Sequence, residues 1–288
     1  MAVFGSATPT SKLVTSAFPV FVGSGLRALA ATAALAPIVL LWPRERRQLA
    51  PGARSSWLSL SLIVLLGMVG FTVAMMFGMR LVSGVVGSVV MSTTPAVTGV
   101  AAILFLKERP DWRVLTAIAL AVAGVLTMNI GSASPGGNWW LGALLVFAAV
   151  CCEAAYTLLG KRAMREMSSL AVAAIVAATS VPLFAIGAAF EITDLDLANV
   201  GWRAWLAVAW WGAGTMGLGT VLWYAGVKQT PGSTAAAYMG VMPISALVLS
   251  YLLLGEPFEW LHLLGFGVVL AGVGLVAWSG AGHGTHRN

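Results

Sequence analysis

The feature that most constrains this chain is a succession of apolar runs, each close to the length a helix needs to cross a hydrocarbon core, about 20 residues. They lie near 19–42, 56–79, 84–106, 112–130, 139–160, 168–190, 203–226, 232–254 and 260–279. Pro/Gly or polar segments such as 43–55 and 131–138 separate them. A shorter run over 1–14 is read as a tenth helix that lacks its beginning. Composition leaves a soluble fold no room: 59% of residues are hydrophobic and 9% charged, against about 25% charged in soluble domains. A water-facing exterior could not be clothed with so few polar groups.

The net charge of +6 does not point to nucleic acid. Basic residues sit in short clusters between apolar runs, the arrangement that orients membrane helices. With ten spans and a cytoplasmic N-terminus, twelve of the sixteen Lys and Arg fall in cytoplasmic segments. Lys12, Arg80 and Arg203 fall outside, and Arg27 lies within a span. The expectation is an inner-membrane protein with both termini cytoplasmic. Cys151 and Cys152 are helix neighbours pointing about 100° apart, so no disulfide is expected between them. The opening Met-Ala-Val-Phe has no basic n-region, and no cleavable signal peptide is expected.

The sequence also repeats. At an offset of 148 residues Arg80 meets Lys228, Gly84 meets Gly232, Pro95 meets Pro243 and Glu108 meets Glu256. Trp112 meets Trp260 and Gly124 meets Gly272 at the same offset, and Lys12 meets Lys161 at 149. Glu and Trp are scarce enough here that chance apolar matching does not explain their pairs. Five crossings per copy return the second copy to the opposite side of the bilayer. The expected fold is therefore all-α and integral to the membrane: ten helices forming two inverted five-helix repeats around a central cavity. The repeats cover 1–131 and 139–279, followed by a cytoplasmic tail over 280–288. Inverted repeats of this kind are the architecture of secondary transporters.

These features resemble the drug/metabolite transporter superfamily, in its ten-helix group with two EamA-type domains. The resemblance rests on Lys12 and Lys161 closing the first helix of each half, and on Pro95 and Pro243 within the fourth. It also rests on Leu-x-Glu at 106–108 and 254–256 and Ala-Gly-Val at 123–125 and 271–273. The resemblance implies a cavity lined by helices 1–4 and 6–9, with helices 5 and 10 peripheral. It further implies alternating-access export of small metabolites, with the aromatic amino-acid exporters (YddG-type) as the leading subgroup. The implied partners are a small-molecule substrate and the lipid bilayer. No cofactor, metal or nucleic acid is expected, and the chain is read as a monomer.

Glu153 is the sharpest single signal, because a carboxylate deep in a span costs ~2.5–3.5 kcal/mol on insertion scales. It is read as binding a substrate ammonium or carrying a proton, or else as a structural acid hydrogen-bonded to a neighbouring helix. Tyr156 and Gly160 share its face. Met75, Met76 and Met79 align with Trp223, Tyr224 and Val227. Met76, Met79, Trp223, Tyr224, Tyr156, Tyr238 and Met239 are candidate substrate-binding residues, with Phe4 nearby, for a soft aromatic and thioether pocket. The competing reading is that such aromatics pack or face lipid.

Ser88, Ser92 and Pro95 share one helical face, and Ser92 is a further candidate. Pro9, Pro95 and Pro243 are candidate hinges, since each removes a helical hydrogen bond. Arg27 is either a gate or carboxylate-binding group, or a residue that pairs helices or snorkels. Glu191, Asp194 and Asp196 read as a solvated outer loop, and Trp139, Trp140, Trp202, Trp205 and Trp260 as interfacial anchors.

Competing classes fare worse. No His-Glu-x-x-His, Gly-x-Ser-x-Gly or pair of intramembrane Asp residues supports an intramembrane enzyme. A lipid-linked sugar flippase or organic-phosphate transporter would favour several cavity cations, and Arg27 alone lies deep. No P-loop occurs, so energy comes from the cargo gradient or a coupled ion.

Overall fold

The computed structural model describes residues 1–49, 54–94, 97–98, 100–101, 116, 119–120, 123, 138–164, 167–191, 193, 197–229, 241–255 and 260–282. Every regular element among them is helical. Near the N-terminus α1 (Ala2–Gly5) and α2 (Ala7–Thr15) form an almost continuous helix, interrupted at Ser6. Pro9 accounts for the interruption: it has no N–H to offer the carbonyl of Gly5, and its ring crowds that carbonyl. The α2 segment packs inside the protein, with Ala7 through Ser11 all buried.

The next helices follow the apolar runs closely. They are α3 (Val20–Leu41), the short α4 (Pro43–Arg46), α5 (Arg54–Leu62), α6 (Phe71–Leu81) and α7 (Gly84–Met91). The second half contributes α8 (Trp139–Ala163), α9 (Ser169–Glu191), α10 (Trp202–Ala209), α11 (Thr220–Gln229), α12 (Val241–Leu254) and α13 (Trp260–Gly282). Helix α13 runs into the segment read as tail. Among the described residues four stretches are long and apolar enough to cross a membrane: Val20–Leu41, Trp57–Leu81, Trp139–Gly160 and Ser169–Glu191. Most of the span expected over 112–130 lies outside the described residues.

Two wide π-helical stretches join α5 to α6 (Ile63–Gly70) and α10 to α11 (Trp210–Gly219). Both are glycine-bearing, and π turns recur at functional sites. Shifted by 148 residues, Ile63–Gly70 falls on 211–218, inside the second stretch. The π segment of each half packs against a helix of the other, Trp210–Gly219 on α3 and Ile63–Gly70 on α9. Gly212 permits one of these contacts. A Cβ there would collide with the Arg27 carbonyl and lie 2.6 Å from Ala30 Cβ.

Among the described elements helices α3 and α9 form the most extensive contact and run antiparallel, tied at both ends. Glu191, at the end of α9, accepts from Phe21 N at 2.6 Å and Val22 N at 3.3 Å in the first turn of α3. At the other end Ser168 N donates to Gln48 Oε1 at 2.6 Å, and Ser168 Oγ donates to Glu45. Glu191 thus differs from the solvated loop residue expected. A carboxylate against the orphan N–H groups of a helix N-terminus is held by both hydrogen bonding and the helix dipole. Lys12 makes the complementary contact at a C-terminus, donating to the carbonyls of Met79 (2.5 Å) and Val82 (2.6 Å) where α6 ends.

The surface is apolar where a bilayer would cover it. Leu40, Leu41, Ile186, Phe190 and Leu252 are all exposed, Phe190 by 83%. Trp140, Trp202, Trp205 and Trp260 are exposed as well. Gly255, with φ of +63°, closes α12 in the left-handed conformation that glycine adopts freely.

Candidate functional site

A stacked pair of tyrosines lies in the protein interior. Tyr156, from α8, and Tyr224, from α11, lie with ring centroids 5.1 Å apart and planes 21° from parallel. Both are buried. Tyr156 Oη donates to Thr220 Oγ1 at 3.1 Å, and Tyr224 Oη donates to the Tyr156 carbonyl at 3.4 Å. Two glycines make room for them. A Cβ at Gly67, in the first π segment, would lie 2.7 Å from the Tyr156 ring, and one at Gly160 would collide with the Tyr224 phenol.

Glu153 stands one helical turn before Tyr156 on α8. Its Oε2 accepts from Thr94 Oγ1 at 3.2 Å, a bond across helices. Thr94 also donates to the Met91 carbonyl within its own turn, so its single proton is shared. The carboxylate therefore has incomplete support from the described residues.

Arg27 approaches from α3. Its Nη1 donates to Thr72 Oγ1 at 2.6 Å, and its guanidinium carbon sits 4.3 Å above the Trp211 ring and 5.9 Å from the Phe71 ring. Arg27 is 5% exposed and Thr72 1%. Arg27 and Glu153 thus bring opposite charges into the helix bundle from α3 and α8.

The other sequence candidates divide. Trp223, partly buried, packs against the same core cluster as Tyr156 and Tyr224. Met76 and Met79 are fully buried: Met76 accepts from Ser24 Oγ at 3.2 Å, while Met79 packs with Phe71, Val82 and Val86. Ser92 is buried and donates to the Val89 carbonyl at 2.6 Å. Pro9 lies buried in α2, and Pro243 lies in the first turn of α12. Pro95, Tyr238, Met239, Glu108 and Glu256 lie outside the described residues.

Sequence reasoning passed over Thr72, Trp211 and Thr220, which supply the hydroxyl and ring partners of the charged and phenolic groups. The available signal was weak: threonines set within otherwise apolar spans, and a tryptophan away from any span end. A separate apolar groove of about 600 Å³, lined by Phe21, Leu65, Phe77 and Leu145 among others, lies apart from this cluster.

Comparison with known proteins agrees with this architecture. The model of the EamA-like transporter family matches residues 1–130 and again 140–278. The uncharacterized transporter YetK of Bacillus subtilis (strain 168) is 31% identical over 276 residues, covering 95% of this chain and 83% of the relative. The uncharacterized transporter YyaM of the same organism is 24% identical over 227 residues, covering 76% of this chain and 73% of the relative. A solved crystal structure superposes with a TM-score of 0.63 at 17% identity, over 95% of this chain and 94% of that one, a likeness of fold. With two matches of one family model spanning nearly its whole length, the chain belongs to the EamA-like transporter family and is a multi-pass membrane transporter, not an enzyme.

Proposed function

We propose that this transporter exports amino acids, neutral or aromatic, across the inner membrane by alternating access, as a secondary carrier. The observation that carries the reading is the Glu153–Tyr156–Tyr224 cluster: a carboxylate one helical turn from a stacked aromatic pair in the protein interior. A carboxylate there binds the substrate ammonium, and the aromatic rings accept an apolar or aromatic side chain. The aromatic amino-acid exporters (YddG-type) are the subgroup with this preference. In this account the two halves, 1–131 and 139–279, are inverted repeats of five helices each, with both termini cytoplasmic. The antiparallel pairing of α3 with α9 and the recurrence of the π segments at 148 residues support that reading. Rocking of one bundle against the other opens the central site to either face. Pro9, Pro95 and Pro243 are the hinges in this scheme, and the carrier works as a monomer.

Purified protein in liposomes tests the function by counterflow of labelled amino acids, with and without a pH gradient. Glu153→Gln removes the charge and keeps the shape, and is expected to lower apparent affinity for phenylalanine at least tenfold. Unchanged affinity and unchanged pH dependence in that variant would end the role assigned to Glu153.

A further inference from the structure

We infer that Arg27 is the anion-binding half of the cargo site and receives the substrate carboxylate. The inference deepens the amino-acid reading above and rests on it for the partnering ammonium.

The argument starts from an imbalance of donors. A guanidinium carries five N–H donors and no acceptor, and an indole carries one donor and no acceptor. Among the described residues, Arg27 spends one donor on Thr72. Its Nε is buried without an acceptor, and so is Nε1 of Trp211, the ring on which Arg27 stacks. Two residues in direct contact thus each carry a buried N–H with no acceptor among the described residues. Buried polar groups in native proteins are nearly always paired, so such a spot calls for an acceptor from elsewhere.

The stack explains why the residue tolerates waiting without a counter-ion. A desolvated cation–π contact and a hydrogen bond to the charged group both stabilise the guanidinium. Together they offset the cost of placing an arginine at span depth. No internal carboxylate is required for Arg27 to sit there. The edge formed by Nε and Nη2, which faces away from the Thr72 bond at Nη1, is one that a planar carboxylate grips side-on.

The charge of the ligand follows from the surroundings. Arg27 on α3 and Glu153 on α8 carry opposite charges, which sum to zero. A zwitterion preserves that balance, with its carboxylate on Arg27 and its ammonium on Glu153. A dianionic phosphate would leave net negative charge beside Glu153 in a low-dielectric interior. Zwitterionic cargo is the class that fits.

The test compares binding of three probes of one shape to the purified full chain: phenylalanine, 3-phenylpropionate without the ammonium, and phenethylamine without the carboxylate. Leucine, 4-methylpentanoate and isopentylamine form a parallel aliphatic set. Arg27→Gln is expected to weaken the amino acid and the carboxylic acid at least tenfold and leave the amine within twofold. Glu153→Gln is expected to spare the carboxylic acid.

If wild type binds the carboxylic acids in an Arg27-dependent way but not the amino acids, the Arg27 site stands and the amino-acid reading falls. If Arg27→Gln leaves carboxylate affinities unchanged, or wild type binds no carboxylate probe in either set, the inference is overturned. Should that variant fail to fold, Arg27→Lys serves instead. It keeps the charge and loses the planar fork, and a threefold or greater loss confined to the carboxylate probes is expected; no loss overturns the inference.

Discussion

Tyr156 and Tyr224 can stack because the positions facing them carry no side chain. At Gly160 even a methyl group meets the Tyr224 phenol, and at Gly67 it meets the Tyr156 ring. Overpacking of this kind costs about 1–3 kcal/mol in well-packed interiors. Gly160→Ala is therefore expected to lower the melting temperature in detergent and to cut counterflow of aromatic substrate more than that of small amino acids. A variant as stable and as active as wild type would show that the stack has room to spare. Glu153, Tyr156 and Tyr224 could be picked out of the sequence because charges and phenols are scarce in these spans. The Arg27–Trp211 contact could not, since it joins α3 to a π turn far along the chain and follows no local periodicity.

Helix ends carry the second layer of information. Lys12 satisfies two carbonyls at the end of α6, and Glu191 satisfies two N–H groups at the start of α3. Each thereby joins two helices distant in sequence. Replacing Lys12 by Met leaves those carbonyls without a charged donor, an expected loss of about 3–6 kcal/mol from two charge-assisted bonds. Glu191→Gln keeps one acceptor oxygen but loses its interaction with the helix dipole, an expected loss of about 1 kcal/mol. Thermal unfolding in detergent ranks the two, and a Lys12→Met protein no less stable than Glu191→Gln would refute the ordering. The helices themselves were readable because length and hydropathy suffice to mark a span; α3, α8 and α9 lie within a few residues of their expected bounds. The π stretches were not readable, since a glycine-bearing apolar run has the same pattern whether its turns are regular or wide.

For the whole molecule, the account depends on a five-helix unit that occurs twice and lies upside down in its second copy. The offset of 148 residues reappears in the register of the π segments, and the helices at matching places in the two halves, α3 and α9, run antiparallel. Cross-packing of each π segment on the other half's helix is what an exchange of roles between halves requires. In the proposed rocking mechanism this contact is what would couple one bundle to the other.

Glu108 and Glu256 align at the 148-residue sequence offset, and their sidedness separates an inverted pair from a parallel one. The measurement is labelling of single cysteines, Glu108→Cys and Glu256→Cys, with a membrane-impermeant maleimide on intact cells, after Cys151 and Cys152 are replaced by Ser. The account predicts that position 256 reacts from outside, and position 108 only once the membrane is opened. Reaction of both positions from the same side would contradict it.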